Sequence, residues 1–223
     1  MNQIKKSSHQ SIPHQSASLE KRHKSEPIEV SCCGLKIQTN TGVYATSLDS
    51  ELMIETVKIS TSENFLEIGC GTGIVSIMVA ERAHSGVGVD INELAVENSK
   101  YNAQRHDVTN VEFFISDLFE NVQGKFDVII CNPPYTRHSI SDNIDRMYWD
   151  PEDEMKKRFF KEAGHYLKEN GRIYFGWANF GDIDVDLPFK LAEKNGYSLV
   201  GSRARSVIKY DCDFFVLEFK KDK

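Results

Sequence analysis

The chain has 223 residues, of which 40% are hydrophobic and 27% charged, with a formal net charge of −6 at pH 7. That length suits one domain with at most a small appendage, and it can bury about 70% of the unfolded surface. No apolar run approaches the roughly 18 residues of a membrane span. The first residues lack the apolar stretch of a secretory signal. Five cysteines with no CxxC pair and no zinc spacing argue against a disulfide framework and a metal centre. The expectation is a soluble, reduced, cytoplasmic protein without a membrane partner.

Residues 1–26 differ from the rest. They carry Lys5, Lys6, Lys21, Arg22 and Lys24 against Glu20 and Glu26, with many Ser, Gln and His and few large apolar side chains. Such a segment buries too little surface to offset its ordering entropy, so a disordered basic tail is expected. A solvated tail is the plain reading; a nucleic-acid arm or a targeting peptide would share the composition. Subtracting these five basic and two acidic residues from 27 and 33 leaves 22 against 31 in the body, 27–223. A body that acidic is a poor generic polyanion binder, because phosphate neutralisation supplies most non-specific affinity.

From residue 28, Ile28, Val30 and Cys32 alternate, Gly34 punctuates, and Leu35, Ile37 and Val43 follow, which predicts a hairpin. Ser47 is placed to cap a helix carrying Leu52, Met53, Ile54 and Val57. Strands are then predicted at 64–68, 87–90, 111–116, 126–131 and 172–177. They alternate with helices near 74–82, 93–106, 152–168 and 187–195. Short apolar strands between amphipathic helices imply a parallel sheet covered on both faces. The extended stretches 197–200 and 213–219 follow each other without a helix and predict an antiparallel finish.

The first central strand runs into Glu67-Ile68-Gly69-Cys70-Gly71-Thr72-Gly73 and opens a helix. Glycines there allow a sharp turn and a close ligand approach. The spacing is G-x-G-x-G, whereas a pyrophosphate-binding loop has G-x-G-x-x-G. An acid two residues before the first glycine suits a ligand bearing an ammonium group by charge complementarity. Asp90 closes the next strand, where a carboxylate can accept both hydroxyls of an adenosine ribose. Asp117 follows the strand after that. Each acid alone could be a helix cap; all three at carboxyl ends of parallel strands belong to one cleft.

This run resembles the class I S-adenosylmethionine-dependent methyltransferases. The resemblance spans about residues 28–220. It implies an α/β fold: a Rossmann-like, seven-stranded, mostly parallel sheet with an antiparallel last strand and helices on both faces. It also implies that S-adenosyl-L-methionine is the cofactor. Glu67 and Gly69 would lie near its methionine part, Asp90 on its ribose, and Asp117 and Leu118 near its adenine, with Gly71 and Gly73 of the same loop also binding it.

The strand 126–131 leads straight into Asn132-Pro133-Pro134-Tyr135. Two prolines fix two φ angles and remove two donors, leaving carbonyls free to accept. A planar NH2 nitrogen has a delocalised lone pair and is a poor nucleophile. Donating its two hydrogens to the Asn132 side-chain oxygen and the Pro133 carbonyl would aim that lone pair at a methyl group and stabilise the charge developing on nitrogen. Tyr135 could stack on the planar group. Asn132, Pro133 and Tyr135 are therefore the candidate catalytic residues, with Asn132 also beside the cofactor.

The turn is similar to that of methyltransferases of planar nitrogens, which act on protein glutamine side chains and exocyclic base amines. Residues 43–50, Val-Tyr-Ala-Thr-Ser-Leu-Asp-Ser, resemble the V-Y-x-P-x-E-D-[ST] segment of HemK-type glutamine methyltransferases. By that likeness residues 27–46 form a hairpin and cofactor lid, Ser50 touches the cofactor, and Tyr44 and Asp49 shape the pocket. Thr46 and Leu48 depart from the pattern, and 145–151 replaces a glycine-rich segment; with His138 it is expected to contact the substrate. Cys70 and Cys131 read as small core thiols, and Glu152–Arg158 as a solvated helix face. The expected activity is N-methylation of a planar NH2, with a protein glutamine ranked first, an RNA base amine second and a small molecule third. A non-catalytic partner subunit and a nicotinamide oxidoreductase are the rivals. The sequence leaves open an activator subunit and the oligomeric state.

Overall fold

Period-two burial along the central strands decides which helices cover which face. In the computed structural model, which describes residues 4–208 and 211–222, β3 (Asn64–Ile68) and β6 (Phe126–Cys131) are the innermost pair. Phe65, Val128 and Ile130 point to one face, where they meet Leu52 and Met53 of α2 (Leu48–Thr56) and Val75 and Val79 of α3 (Ile74–Ala80). Leu66, Ile68 and Ile129 point to the other, against Phe159 and Phe160 of α5 (Glu154–Tyr166) and Leu191 of α6 (Leu187–Lys194). β4 (Ser85–Asp90), β5 (Val111–Ile115), β7 (Leu167–Ala178), β8 (Tyr197–Val207) and β9 (Cys212–Lys221) complete a seven-stranded sheet in the order β5-β4-β3-β6-β7-β9-β8. The pairs β5/β4, β4/β3, β3/β6 and β6/β7 are parallel, while β9 runs antiparallel to both β7 and β8. The expected fold class and antiparallel finish are thus present. The hairpin β1 (Ile28–Cys32) and β2 (Leu35–Thr39) is present too. It is tied to α4 (Glu93–Arg105) by Asn98 and Asn102, whose amides bond the backbone of Gln38 and Asn40. The chain reverses its order of strand addition between β3 and β6, so their carboxyl ends flank the crevice where such sheets bind ligands.

One expectation is corrected. Residues 11–24, read as part of a disordered tail, form a helix, α1 (Ser11–Lys24). Its stabilising partners lie far away in sequence. The Asp182 carboxylate accepts from the Ile12 N–H at 2.9 Å and the Ser11 hydroxyl at 2.7 Å, supplying the acceptor that α1's first turn lacks. At the other end the buried Arg22 guanidinium donates to the carbonyls of Asn40 and Val43. Leu19 is buried between these anchors. No helix among the described residues is long and apolar enough to cross a membrane.

Candidate active site

The carboxyl ends of β3, β4 and β6 open into a cleft of about 580 Å³. Ser50, Glu67, Gly69, Gly71, Asp90, Asp117, Leu118, Asn132, Pro133 and Tyr135 all line it. Gly73 does not. It sits at the N-cap of α3 with φ +81°, and a Cβ there would lie 2.7 Å from Ser99 Cβ, so this glycine serves the packing of α3 on α4. Gly69 and Gly71 also have positive φ, but a Cβ at either would meet nothing within 4 Å. Their bare backbone faces the cleft, the arrangement a closely approaching ligand needs.

The loop hangs from β4. The N–H groups of Gly69 and Cys70 donate to the Val89 carbonyl at 2.8 and 3.0 Å, and Gly71 N–H donates to Asp90 Oδ2 at 3.0 Å. The Asp90 carboxylate also accepts from Asn92 N–H, at 2.9 Å. Burial raises its pKa, while these backbone donors oppose the shift. Glu67 is more enclosed. Among the described residues its one side-chain partner is the Ser76 hydroxyl, and burial pushes its carboxyl up to about 8. The protein alone therefore holds a proton on Glu67 at neutral pH, and a cation in the cleft would displace it. Asp117 is paired with Arg158, whose Nη1 lies 2.9 and 3.0 Å from the two carboxylate oxygens. Leu118, buried with φ +53°, follows it at the cleft wall. This set fits a ligand that is cationic at one end and carries a ribose: an acid and open glycines at one end, a half-buried carboxylate in the middle, and an apolar wall at the other.

At the end of β6, Asn132 is held by a network whose centre is Asp49. The Asp49 carboxylate, buried in α2, accepts from Tyr44 OH (3.1 Å), Ser47 Oγ (2.5 Å), Ser50 N–H (2.8 Å) and Asn132 Nδ2 (2.9 Å). A carboxylate only accepts, so the Asn132 NH2 must face it, and Oδ1 must face the opposite way. Ser47 occupies the N-cap position, but its hydroxyl serves Asp49 rather than the helix backbone. Gly176 of β7 clears the space for Asn132, since a Cβ there would overlap Oδ1. Among the described residues nothing donates to the Pro133 carbonyl, whereas the Pro134 carbonyl accepts from Lys156 Nζ at 3.0 Å.

Tyr135 departs from its expected place. Its ring is buried against Trp177, Phe180 and Phe214, and its hydroxyl donates to Asn132 Oδ1 at 2.7 Å. An apolar wall claims the ring, so the group that would stack on a substrate instead steadies Asn132. Oδ1 has two lone pairs, and the tyrosine proton occupies one of them. The Glu152–Arg158 segment also differs from a solvated face. Lys156 is fully buried, with Nζ 2.9 Å from Asp150, 3.2 Å from Asp153 and 5.9 Å from the centre of the Trp177 ring. Lys156 also donates to the Pro134 carbonyl, and within the same turn Glu152 and Asp153 stand at φ +55° and +56°, a conformation costing about 1–3 kcal/mol each. Trp149, in the segment 145–151, lines the cleft and is tied to Thr136 by a parallel bridge; the His138 ring, 4.3 Å from that of Trp149, does not itself line the cleft.

The remaining readings fit the packing. All five cysteines are free, and burial pushes the Cys70 and Cys131 thiols well up, as expected of inert core groups. His23, Asp142 and Asp145 bring potential ligand atoms within 4.8 Å of one another, joined by the His23–Asp145 bond at 3.2 Å.

Residues 34–190 match the family model of the methyltransferase small domain. A Methanocaldococcus jannaschii protein named "putative protein N5-glutamine methyltransferase" is 43% identical over 147 residues, covering 63% of this chain and 74% of that one. A release factor glutamine methyltransferase of Fusobacterium nucleatum is 28% identical over 188 residues, 75% of this chain and 52% of its own length. The ribosomal RNA small subunit methyltransferase C of Haemophilus influenzae is 30% identical over 144 residues, 62% of this chain and 40% of its own. Among solved structures, Methanocaldococcus jannaschii Trm5 in complex with adenosine superposes with a TM-score of 0.65 at 20% identity, covering 88% of this chain and 56% of that one. The chain belongs to the methyltransferase small domain family and is a class I, HemK-type S-adenosylmethionine-dependent methyltransferase.

Proposed function

We propose that the protein methylates a planar NH2 nitrogen, and that its acceptor is the glutamine side chain of a protein of the release-factor type. The observation that carries this reading is the orientation of Asn132. With Nδ2 committed to Asp49, Oδ1 is the acceptor end of the amide and keeps one lone pair beside the Tyr135 proton, while among the described residues nothing donates to the Pro133 carbonyl. Two acceptors on adjacent residues suit the two hydrogens of one NH2 group. Holding both hydrogens in place directs the nitrogen lone pair away from them and stabilises positive charge as it grows. Tyr135 and Asp49 act as positioning residues. No strong base is needed before attack, because the nitrogen becomes acidic only once it is methylated.

Bound S-adenosylmethionine supplies an electrophilic methyl group on a sulfonium. Glu67, with Gly69, Gly71 and Ser50, would hold its amino-acid end, Asp90 its ribose, and Asp117 and Leu118 its base. Two features favour glutamine over a base amine: the net negative body and the similarity to proteins named as glutamine methyltransferases. The exposed Lys21 and Lys24 in the last turn of α1, and the ribosomal RNA methyltransferase relative, support RNA as the second reading. The test is incubation with methyl-labelled S-adenosylmethionine, a lysate of the source and its purified release factor. Label in the release factor supports the reading; label confined to RNA or small molecules refutes it. Asn132→Ala abolishes transfer while cofactor Kd, measured by calorimetry, stays within about threefold.

A further inference from the structure

Helix α1 precedes the family match, yet it forms one wall of the cleft. Ser11, Gln15, Ser18 and Arg22 follow at intervals of four, three and four, so they share one face. Ser11 Oγ lies 2.8 Å from Thr136 Oγ1, one residue beyond the Asn132–Tyr135 turn. Ser18 bonds the Tyr148 hydroxyl, and the Tyr148 ring is 5.4 Å from that of Tyr44, which holds Asp49. The face between these two contacts therefore looks onto the acceptor side of the cleft. Gln15 occupies it. It is 7% exposed, it lines the cleft, and its Oε1 has no partner among the described residues. Buried side-chain oxygens nearly always find a donor, and one left unpaired in a cleft points to a donor that arrives with the ligand.

We infer that Gln15 is a specificity-determining residue for the acceptor, its carboxamide oxygen accepting a peptide N–H from the segment that carries the methylated glutamine. This rests on the glutamine reading above. Asn132 and Pro133 consume both hydrogens of the acceptor NH2, so the next donors on a glutamine substrate are the backbone N–H groups flanking it. An adenine, by contrast, presents the ring acceptor N7 beside its amine and would leave Oε1 facing another acceptor.

The test is steady-state transfer to purified release factor at saturating S-adenosylmethionine. Gln15→Leu removes the acceptor at similar volume and raises KM for the release factor about tenfold. Its kcat and cofactor Kd stay unchanged, and its Tm is unchanged or higher because an unpaired buried oxygen is gone. Gln15→Glu keeps an oxygen at the same reach and recovers most of the lost affinity. Unchanged KM in Gln15→Leu, or a joint fall in kcat and Tm without a KM effect, overturns the inference while leaving the glutamine reading intact. A wild-type enzyme that labels RNA and not the release factor overturns both.

Discussion

Asp49→Asn isolates the positioning of Asn132, because it preserves shape and removes only the property of accepting at both oxygens. The introduced NH2 must replace either Oδ1, which receives the Ser50 N–H at 2.8 Å, or Oδ2, which receives Asn132 Nδ2 at 2.9 Å. A backbone N–H cannot turn, whereas a side-chain amide can. The NH2 therefore takes the Oδ2 position, and Asn132 rotates to present its oxygen there. Its own NH2 then faces the acceptor nitrogen, donor against donor, while the Tyr135 hydroxyl swings to accept. The lost interaction is a hydrogen bond to a developing positive charge, worth about 1.5–3 kcal/mol. That corresponds to a fall in kcat of about 10- to 150-fold. The assay is labelled-methyl transfer at saturating cofactor, with cofactor Kd from calorimetry and Tm as controls for the pocket and the fold. A variant with kcat within twofold of wild type refutes the claim that Asp49 sets the amide.

Other outcomes follow from the same geometry. Gly176→Ala puts a Cβ into the space of Asn132 Oδ1, so kcat drops at least tenfold with cofactor Kd unchanged; retained turnover means Asn132 has another productive position. Lys156→Met leaves Asp150 and Asp153 buried without their cation, a loss of about 3–5 kcal/mol. A thermal melt should show Tm lower by roughly 6–20 °C for a chain of this size, and an unchanged Tm would contradict the role given to the ion cluster. Burial raises the Glu67 carboxyl from 4.5 to about 8, so the folded protein keeps a proton that the unfolded chain releases. That stabilising contribution is fully present below about pH 4.5 and is lost as pH rises to about 8, a slope that Glu67→Gln flattens in a melt series. A cationic ligand favours the ionised form, so cofactor affinity should tighten by up to about tenfold per unit between about pH 6 and 7.5, with proton release. A Kd flat across that window counts against Glu67 as the contact of the cofactor's ammonium end.

What the sequence makes legible is what is contiguous in it. The glycine loop, Asp90 and the Asn132–Tyr135 turn each sit at a strand end, so a period-two apolar run followed by its polar terminus locates them within a residue or two. What it hides depends on distant partners. Residues 11–24 are polar enough to look unstructured, and partners distant in sequence, among them Asp182, Thr136 and the carbonyls of Asn40 and Val43, hold them as a helix. Lys156 sits in a charge-rich run that reads as solvated because its burial is compensated by Asp150 in the preceding loop. Gly176 reads as one more small strand residue; its role lies in the neighbouring strand's Asn132. Stacking on a planar substrate is what an aromatic residue in that turn suggests, but Trp177 and Phe214, distant in sequence, pack against the Tyr135 ring.

The most direct test of the central claim is the identity of the atom that receives the methyl group. Release factor labelled by the wild-type enzyme is digested exhaustively with proteases, and the labelled amino acid is identified by mass spectrometry. The account predicts N5-methylglutamine, with no label when Asn132→Ala replaces the wild type. A methyl group found on oxygen, sulfur or carbon, or on glutamine with Asn132→Ala fully active, would contradict it.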